Sequence, residues 1–117
     1  MGCTILSIAF RDQIAEDTQR LLEQNSFSVV TVSDFKRLEE CCTQGKFDLA
    51  LVESEIMPKV KRAIGLLLRT HCPWAPVVEM FSGKPHIAGA EPIASNQFVE
   101  LVPTINRTLS KRQLKSA

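Results

Sequence analysis

At 117 residues, with 44% hydrophobic and 23% charged residues, the chain has the size and composition of one globular domain with its own core. Its formal net charge of +1 gives nucleic acid and anionic membrane no overall electrostatic hold on it. No apolar run approaches the roughly 20 residues of a membrane span and no secretory signal pattern opens the chain, so a cytoplasmic protein is expected.

Residues 4–10, Thr-Ile-Leu-Ser-Ile-Ala-Phe, read as a first strand, apolar toward both faces. Arg11-Asp12 ends it, with Asp12 placed to cap the helix that follows. In that helix Ile14, Thr18, Leu21 and Leu22 form one stripe at i, i+4, i+7 and i+8. Asn25-Ser26 closes it before a second strand over residues 27–32. Ser33 is expected to cap the second helix, with Asp34 in its first turn, where the helix dipole favours an anion. Phe35, Leu38 and Cys41 or Cys42 make the inner face of this helix, and Gly45 is a natural left-handed stop.

The stretch 47–58, Phe-Asp-Leu-Ala-Leu-Val-Glu-Ser-Glu-Ile-Met-Pro, carries the strongest functional signal. Its apolar run Leu49-Ala50-Leu51-Val52 is too short for a helix and fits a strand buried on both faces of a parallel sheet. Glu53 and Glu55 follow at once, so carboxylates stand at the carboxyl end of a central strand, where open α/β sheets build their sites. After Pro58, helical spacing returns with Val60, Ile64, Leu67 and Leu68 and stops before Pro73. Lys59, Lys61 and Arg62 crowd the first turn, where the dipole disfavours cations, and Glu53 and Glu55 just upstream offset them. These bases, with Arg69, read as a solvated helix face and not as a nucleic-acid patch.

Residues 76–81 read as a fourth strand with one anomaly: Glu79 puts a carboxylate in the middle of a strand that should be covered on both sides. Residues 82–94 hold glycines and prolines and no helical period. Phe98, Leu101, Val102, Ile105 and Leu109 then mark one helix face, giving a last helix over residues 95–111, kinked at Pro103. Alternatively, 97–102 is a strand and the helix starts at Pro103. Residues 111–117 form a basic, polar tail, leaving 1–110 as the domain. Cys3, Cys41, Cys42 and Cys72 show neither Cys-x-x-Cys nor zinc-ligand spacing and read as reduced, partly buried thiols. The alternation of strand and helix gives a parallel α/β sheet with right-handed crossovers.

In order and spacing, these segments resemble the receiver domain of two-component response regulators, the chemotaxis-regulator-like fold. Ile5-Leu6-Ser7-Ile8, Leu21-Leu22, Phe27-Ser28-Val29-Val30, the run 47–52 ahead of an acidic residue and Met57-Pro58, and Ala75-Pro76-Val77-Val78 carry the resemblance. It spans about the first 80 residues and resumes over 91–109. It implies a flavodoxin-like, doubly wound α/β sheet of order 2-1-3-4(-5). The first and last helices lie on one face, the second and third on the other.

It also implies a pocket. In the family an acidic pair after strand one holds Mg²⁺ and an Asp after strand three takes the phosphoryl group. A Ser/Thr after strand four and a Lys-Pro after strand five complete it. Matched by position, the acidic pair falls on Ala9 and Phe10, which offer no oxygen to a hard cation. Asp12 lies too far along unless the register shifts by two. The acceptor falls on Glu53 by strand start, or on Ser54 by the Met57-Pro58 spacing. The Ser/Thr position falls on Phe81 or Ser82, and Lys-Pro on Glu91-Pro92. No cofactor and no metal are expected, Mg²⁺ included. Glu53 would either stand in for a phospho-Asp or mark a dead site in which it pairs with Arg11 or Lys84.

The expectation is a degenerate receiver, a pseudo-receiver that signals by protein–protein contact and takes no phosphoryl group. The alternative is an atypical phosphoreceiver of a phosphorelay that uses Ser54, Glu53 or Asp12. An enzyme is not expected, because no Gly-rich phosphate loop follows any strand. Residues 82–90 are fewer than the roughly dozen of a parallel crossover, so the family's helix between strands four and five should be missing or reduced. An irregular loop or a short antiparallel return would then leave an open sheet edge. A protein partner, or a second copy of the chain, is expected to dock there on Glu79, Phe81, Lys84, Gly89 and the last helix.

Overall fold

Alternating apolar runs and amphipathic stripes fold as successive βα units. The computed structural model describes residues 3–10 and 12–116, with the backbone alone at 12–15 and 112–116. Its elements are β1 (Thr4–Ile8), α1 (Asp12–Gln24), β2 (Ser28–Val32), α2 (Phe35–Gln44), β3 (Leu49–Val52), α3 (Pro58–His71), β4 (Val77–Phe81), β5 (Glu91–Ala94) and α4 (Leu101–Ser116). A 3₁₀ turn, Ser95–Glu100, precedes α4. The strands form one sheet in the order β2-β1-β3-β4-β5, with every neighbouring pair parallel. This is the flavodoxin-like, doubly wound order that the resemblance implied.

Alternation along the strands divides the core in two. Leu6, Ile8, Ala50 and Val52 pack with Leu38 and Cys41 of α2 and with Ile64 and Leu68 of α3. Ile5, Leu49, Leu51, Val78 and Met80 pack with Leu22 of α1 and with Leu101 and Ile105 of α4. Helices α1 and α4 therefore cover one face, and α2 and α3 the other. All four residues of β3 are buried, as its unbroken apolar run requires.

Several local expectations are corrected. The cap of α2 is Asp34, whose carboxylate accepts from the Arg37 N–H at 2.8 Å, and not Ser33. Asp34 has the extended backbone of an N-cap, and its side chain reaches the orphan N–H that a cap must satisfy. Gly45 ends α2 as expected, at φ 65°, donating to the Cys41 carbonyl at 3.0 Å. At the C-terminus the break falls at Gln97 (φ −111°, ψ 38°) and not at Pro103. Pro103 stands in the first turn of α4, where a missing N–H leaves no intrahelical bond unmade. No strand forms over 97–102, and the expected tail continues as helix through Ser116.

Residues 82–90 form the irregular loop expected, without a helix, but the alternative of an antiparallel return and a strand-four edge is corrected at β5. This strand runs parallel to β4, with Val78 opposite Glu91 and Phe81 opposite Ala94, although no helix joins the two strands. The reach of the chain explains this. At up to roughly 3.3–3.6 Å per residue, residues 82–90 can run back along a strand of about 17 Å and step one strand sideways. The dozen-residue rule assumes a helix in the crossover, and an irregular segment needs fewer. This segment passes over the α3 face, where the Ile87 side chain lies 3.0 Å from the place a Cβ would occupy on Gly65. The glycine is what lets the loop lie so close to α3. The sheet edge is therefore β5, with β4 inside the sheet.

Candidate functional site

The carboxyl ends of the strands open onto a cavity of about 220 Å³. Asp17 and Thr18 of α1, Glu53, Ser54 and Glu55 after β3, Met80 of β4, and Ser95 and Phe98 of the 3₁₀ turn line it. Glu53 continues the β3 ladder, its N–H donating to the Ile8 carbonyl at 3.0 Å. Its side chain is only 2% exposed, and neither carboxylate oxygen has a hydrogen-bond partner among the described residues. Burial raises its pKa from 4.5 to about 7, opposed in part by the nearby Thr18 hydroxyl and by the charge of Lys61. A buried carboxylate left without partners is costly. It marks this end of the sheet as the chemically unusual one.

The other family positions are not rebuilt here. Ala9 is buried, its N–H bonded to the Val32 carbonyl at 3.0 Å. Phe10 sets its ring edge-on to Phe35, with centroids 5.6 Å apart. Hydrophobic packing thus occupies the position of the acidic pair. Asp12 begins α1 in the backbone, but its side chain and all of Arg11 lie outside the described residues. Ser54 is half-buried on the cavity wall, whereas Ser82 is exposed and off it, and Phe81 is half-buried.

Glu91 is misplaced by the sequence matching. It starts β5 opposite Val78, at the far end of the sheet from Glu53, and pairs with Arg107 at 3.1 Å. The matching ended strand five too early: its carboxyl end falls at Ala94-Ser95 and not before Glu91. Ser95 is the residue brought to the cavity.

Glu79 is also corrected, and with it the expected docking surface. It is fully buried on the α3 face, paired with Lys61 at 3.0 Å, so it guards no open edge. Its carboxylate also accepts from the backbone N–H groups of His86 (2.8 Å) and Ile87 (2.8 Å). The Lys61 ammonium donates in addition to the Met80 carbonyl at 2.6 Å. One buried pair thus ties α3, β4 and the 82–90 loop together, covering the face that a helix would otherwise cover. Of the expected surface, Lys84 and Gly89 are exposed and Phe81 is half-exposed, whereas Glu79, the carboxylate it was built around, is not accessible. Lys84 forms no pair with Glu53.

Sequence reasoning missed Lys61, Asp17, Thr18, Met80, Ser95 and Phe98. Two signals were present: a base in the wrong turn of a helix and a carboxylate in the middle of a strand, each unexplained until joined. A larger cavity of about 490 Å³ opens at the opposite end of β4 and β5, between Trp74, Pro76, Gly89 and Glu91. None of its lining residues is a buried polar group left without a partner.

Comparison of folds agrees with this architecture. A response regulator receiver protein from Sinorhizobium medicae WSM419 superposes with a TM-score of 0.78 at 17% identity, over 95% of this chain and 97% of its own. A CheY-like receiver domain from Methanospirillum hungatei JF-1 gives 0.77 at 16% identity, over 98% and 99%. The signal receiver domain of a modulated diguanylate cyclase from Desulfovibrio desulfuricans G20 gives 0.76 at 17%, over 98% and 99%. No family model and no curated protein sequence matches the chain. The chain has the fold of response-regulator receiver domains.

Proposed function

We propose that this chain is a receiver-like signalling domain that acts through protein–protein contact and takes no phosphoryl group. The observation that carries this reading is the pair of residues that follows β1, next to β3 and Glu53. Where phosphoryl transfer would need oxygens for Mg²⁺, Ala9 presents a buried methyl group and Phe10 an aromatic ring. Two further features support it. The residues after β5 are Ser95-Asn96, not Lys-Pro, and Lys61 is held by Glu79 and Met80. A permanent phosphate mimic would need a fully charged Glu53, whereas burial raises its pKa and so favours the uncharged form.

Incubation with Mg²⁺ and acetyl phosphate, followed by intact-mass measurement, tests the reading. The expected mass is unchanged. A gain of one phosphoryl group, lost in Ser54→Ala or Glu53→Gln, would overturn it in favour of an atypical phosphoreceiver.

A further inference from the structure

We propose that the Glu53 cavity receives the guanidinium group of an arginine presented by a partner protein. This deepens the protein-contact reading by naming what the partner brings, and it rests on that reading.

Charge is the first ground. Asp17, Glu53 and Glu55 line the cavity, and no lysine or arginine is among its described lining residues. An acidic cluster alone would be only a solvated rim. Here Glu53 is 2% exposed, lines the cavity, and has no hydrogen-bond partner for either oxygen among the described residues. Only the nearby Thr18 hydroxyl approaches it, short of a hydrogen bond by geometry, and Lys61, the cation whose charge it feels, is spent on Glu79 and Met80.

The shape of the donor follows from the wall. A carboxylate with two free oxygens matches the planar fork of a guanidinium, which donates two parallel N–H bonds. Phe98 and Met80 complete the lining with an aromatic and a thioether surface, on which a flat, weakly hydrated cation can stack. An inorganic ion fits less well. The described acidic, His and Cys side chains form no group of three placed to hold a metal, and Ala9 and Phe10 add no side-chain oxygen. One buried carboxylate with an acidic rim suits a rigid plane of donors better than a small sphere that needs several oxygens around it.

A ¹H–¹⁵N NMR titration of the unphosphorylated protein tests this, using N-acetyl-arginine amide as probe, its uncharged citrulline counterpart as control, and Mg²⁺ as a third arm. The arginine probe should give saturable shifts at the Ser54, Glu55 and Ser95 amides at concentrations up to about 20 mM. The citrulline control should give none. Glu53→Gln should weaken binding about tenfold or more, and Glu55→Gln, a rim change that leaves the core intact, should weaken it less. Affinity should rise from about pH 6 to about pH 8 as Glu53 loses its proton, with Asp17 of α1, Glu55 and Lys61 of α3 as the other charges facing it.

Absence of saturable shifts, equal binding of the citrulline control, or unchanged affinity in a folded Glu53→Gln variant would overturn the proposal. Displacement of the arginine probe by low-millimolar Mg²⁺ would also overturn it, making the cavity an inorganic cation site. Because the probe binds without any phosphodonor, these outcomes are separate from the mass test of phosphoryl transfer.

Discussion

Replacing Lys61 with Met removes the ammonium and keeps most of the length of its stem. The change strips Glu79 of its cation at a site where the two side chains are 2% and 0% exposed, so solvent screening offers no relief. Breaking a buried ion pair from one side costs about 3–5 kcal/mol. Glu79 keeps the His86 and Ile87 N–H donors, which places the expected loss near the lower end, about 3 kcal/mol. Glu79→Gln leaves the buried Lys61 ammonium without a counter-charge and should cost about as much. Against a total stability of about 5–15 kcal/mol, either loss is large. The double variant carries no charge, and its amide oxygen can still accept from the loop. It should therefore fall short of the summed losses by at least about 2 kcal/mol. Urea unfolding followed by the fluorescence of Trp74, the single tryptophan, which packs on Phe47 at 5.0 Å, measures all three. At a slope of about 1–3 kcal/mol per molar urea, each single change should lower the midpoint by about 1–3 M. Single losses under about 1 kcal/mol, or additive losses in the double variant, would refute the account of a buried keystone.

Two further outcomes are expected. Glu53 has a folded pKa raised from 4.5 to about 7, so its contribution to stability is complete below about pH 4.5 and is lost as pH rises through about 7, a change of about 3 kcal/mol. Glu53→Gln should remove that decline and exceed the wild type in stability above about pH 7; urea midpoints that fall equally in both proteins between about pH 5 and about pH 8 would contradict it. The Cys42 and Cys72 sulfurs lie 2.9 Å apart, and burial raises the pKa of both thiols. Both should resist a disulfide reagent in the native state and react only on unfolding, and rapid native labelling of either by peptide mass analysis would show the burial argument to be wrong.

Elements whose evidence is local were legible in the sequence. The unbroken run Leu49-Ala50-Leu51-Val52 could only be a strand covered twice, and Ile64 and Leu68 had to face a core from a helix. The order and spacing of such segments carried the resemblance, and the resemblance implied the sheet order that the structure has. Glu53 was also legible as the carboxylate at the end of the central strand, because that position depends only on where one strand stops.

Tertiary structure decided everything that depends on two distant segments meeting. Glu79 and Lys61 each broke a local rule, and neither anomaly named the other, because their pairing requires the α3 crossover to lay a helix turn beside β4. The bounds of β5 were equally hidden. A wrong strand end put Glu91 in a site that lies at the other end of the sheet. Thr18 looked like one member of an apolar stripe, and Ser95 and Phe98 like parts of a helix. The cavity they share with Glu53 exists only because the sheet brings the ends of β3, β4 and β5 together beside α1. Periodicity reports which face of an element is buried, whereas a site needs to know what that face meets.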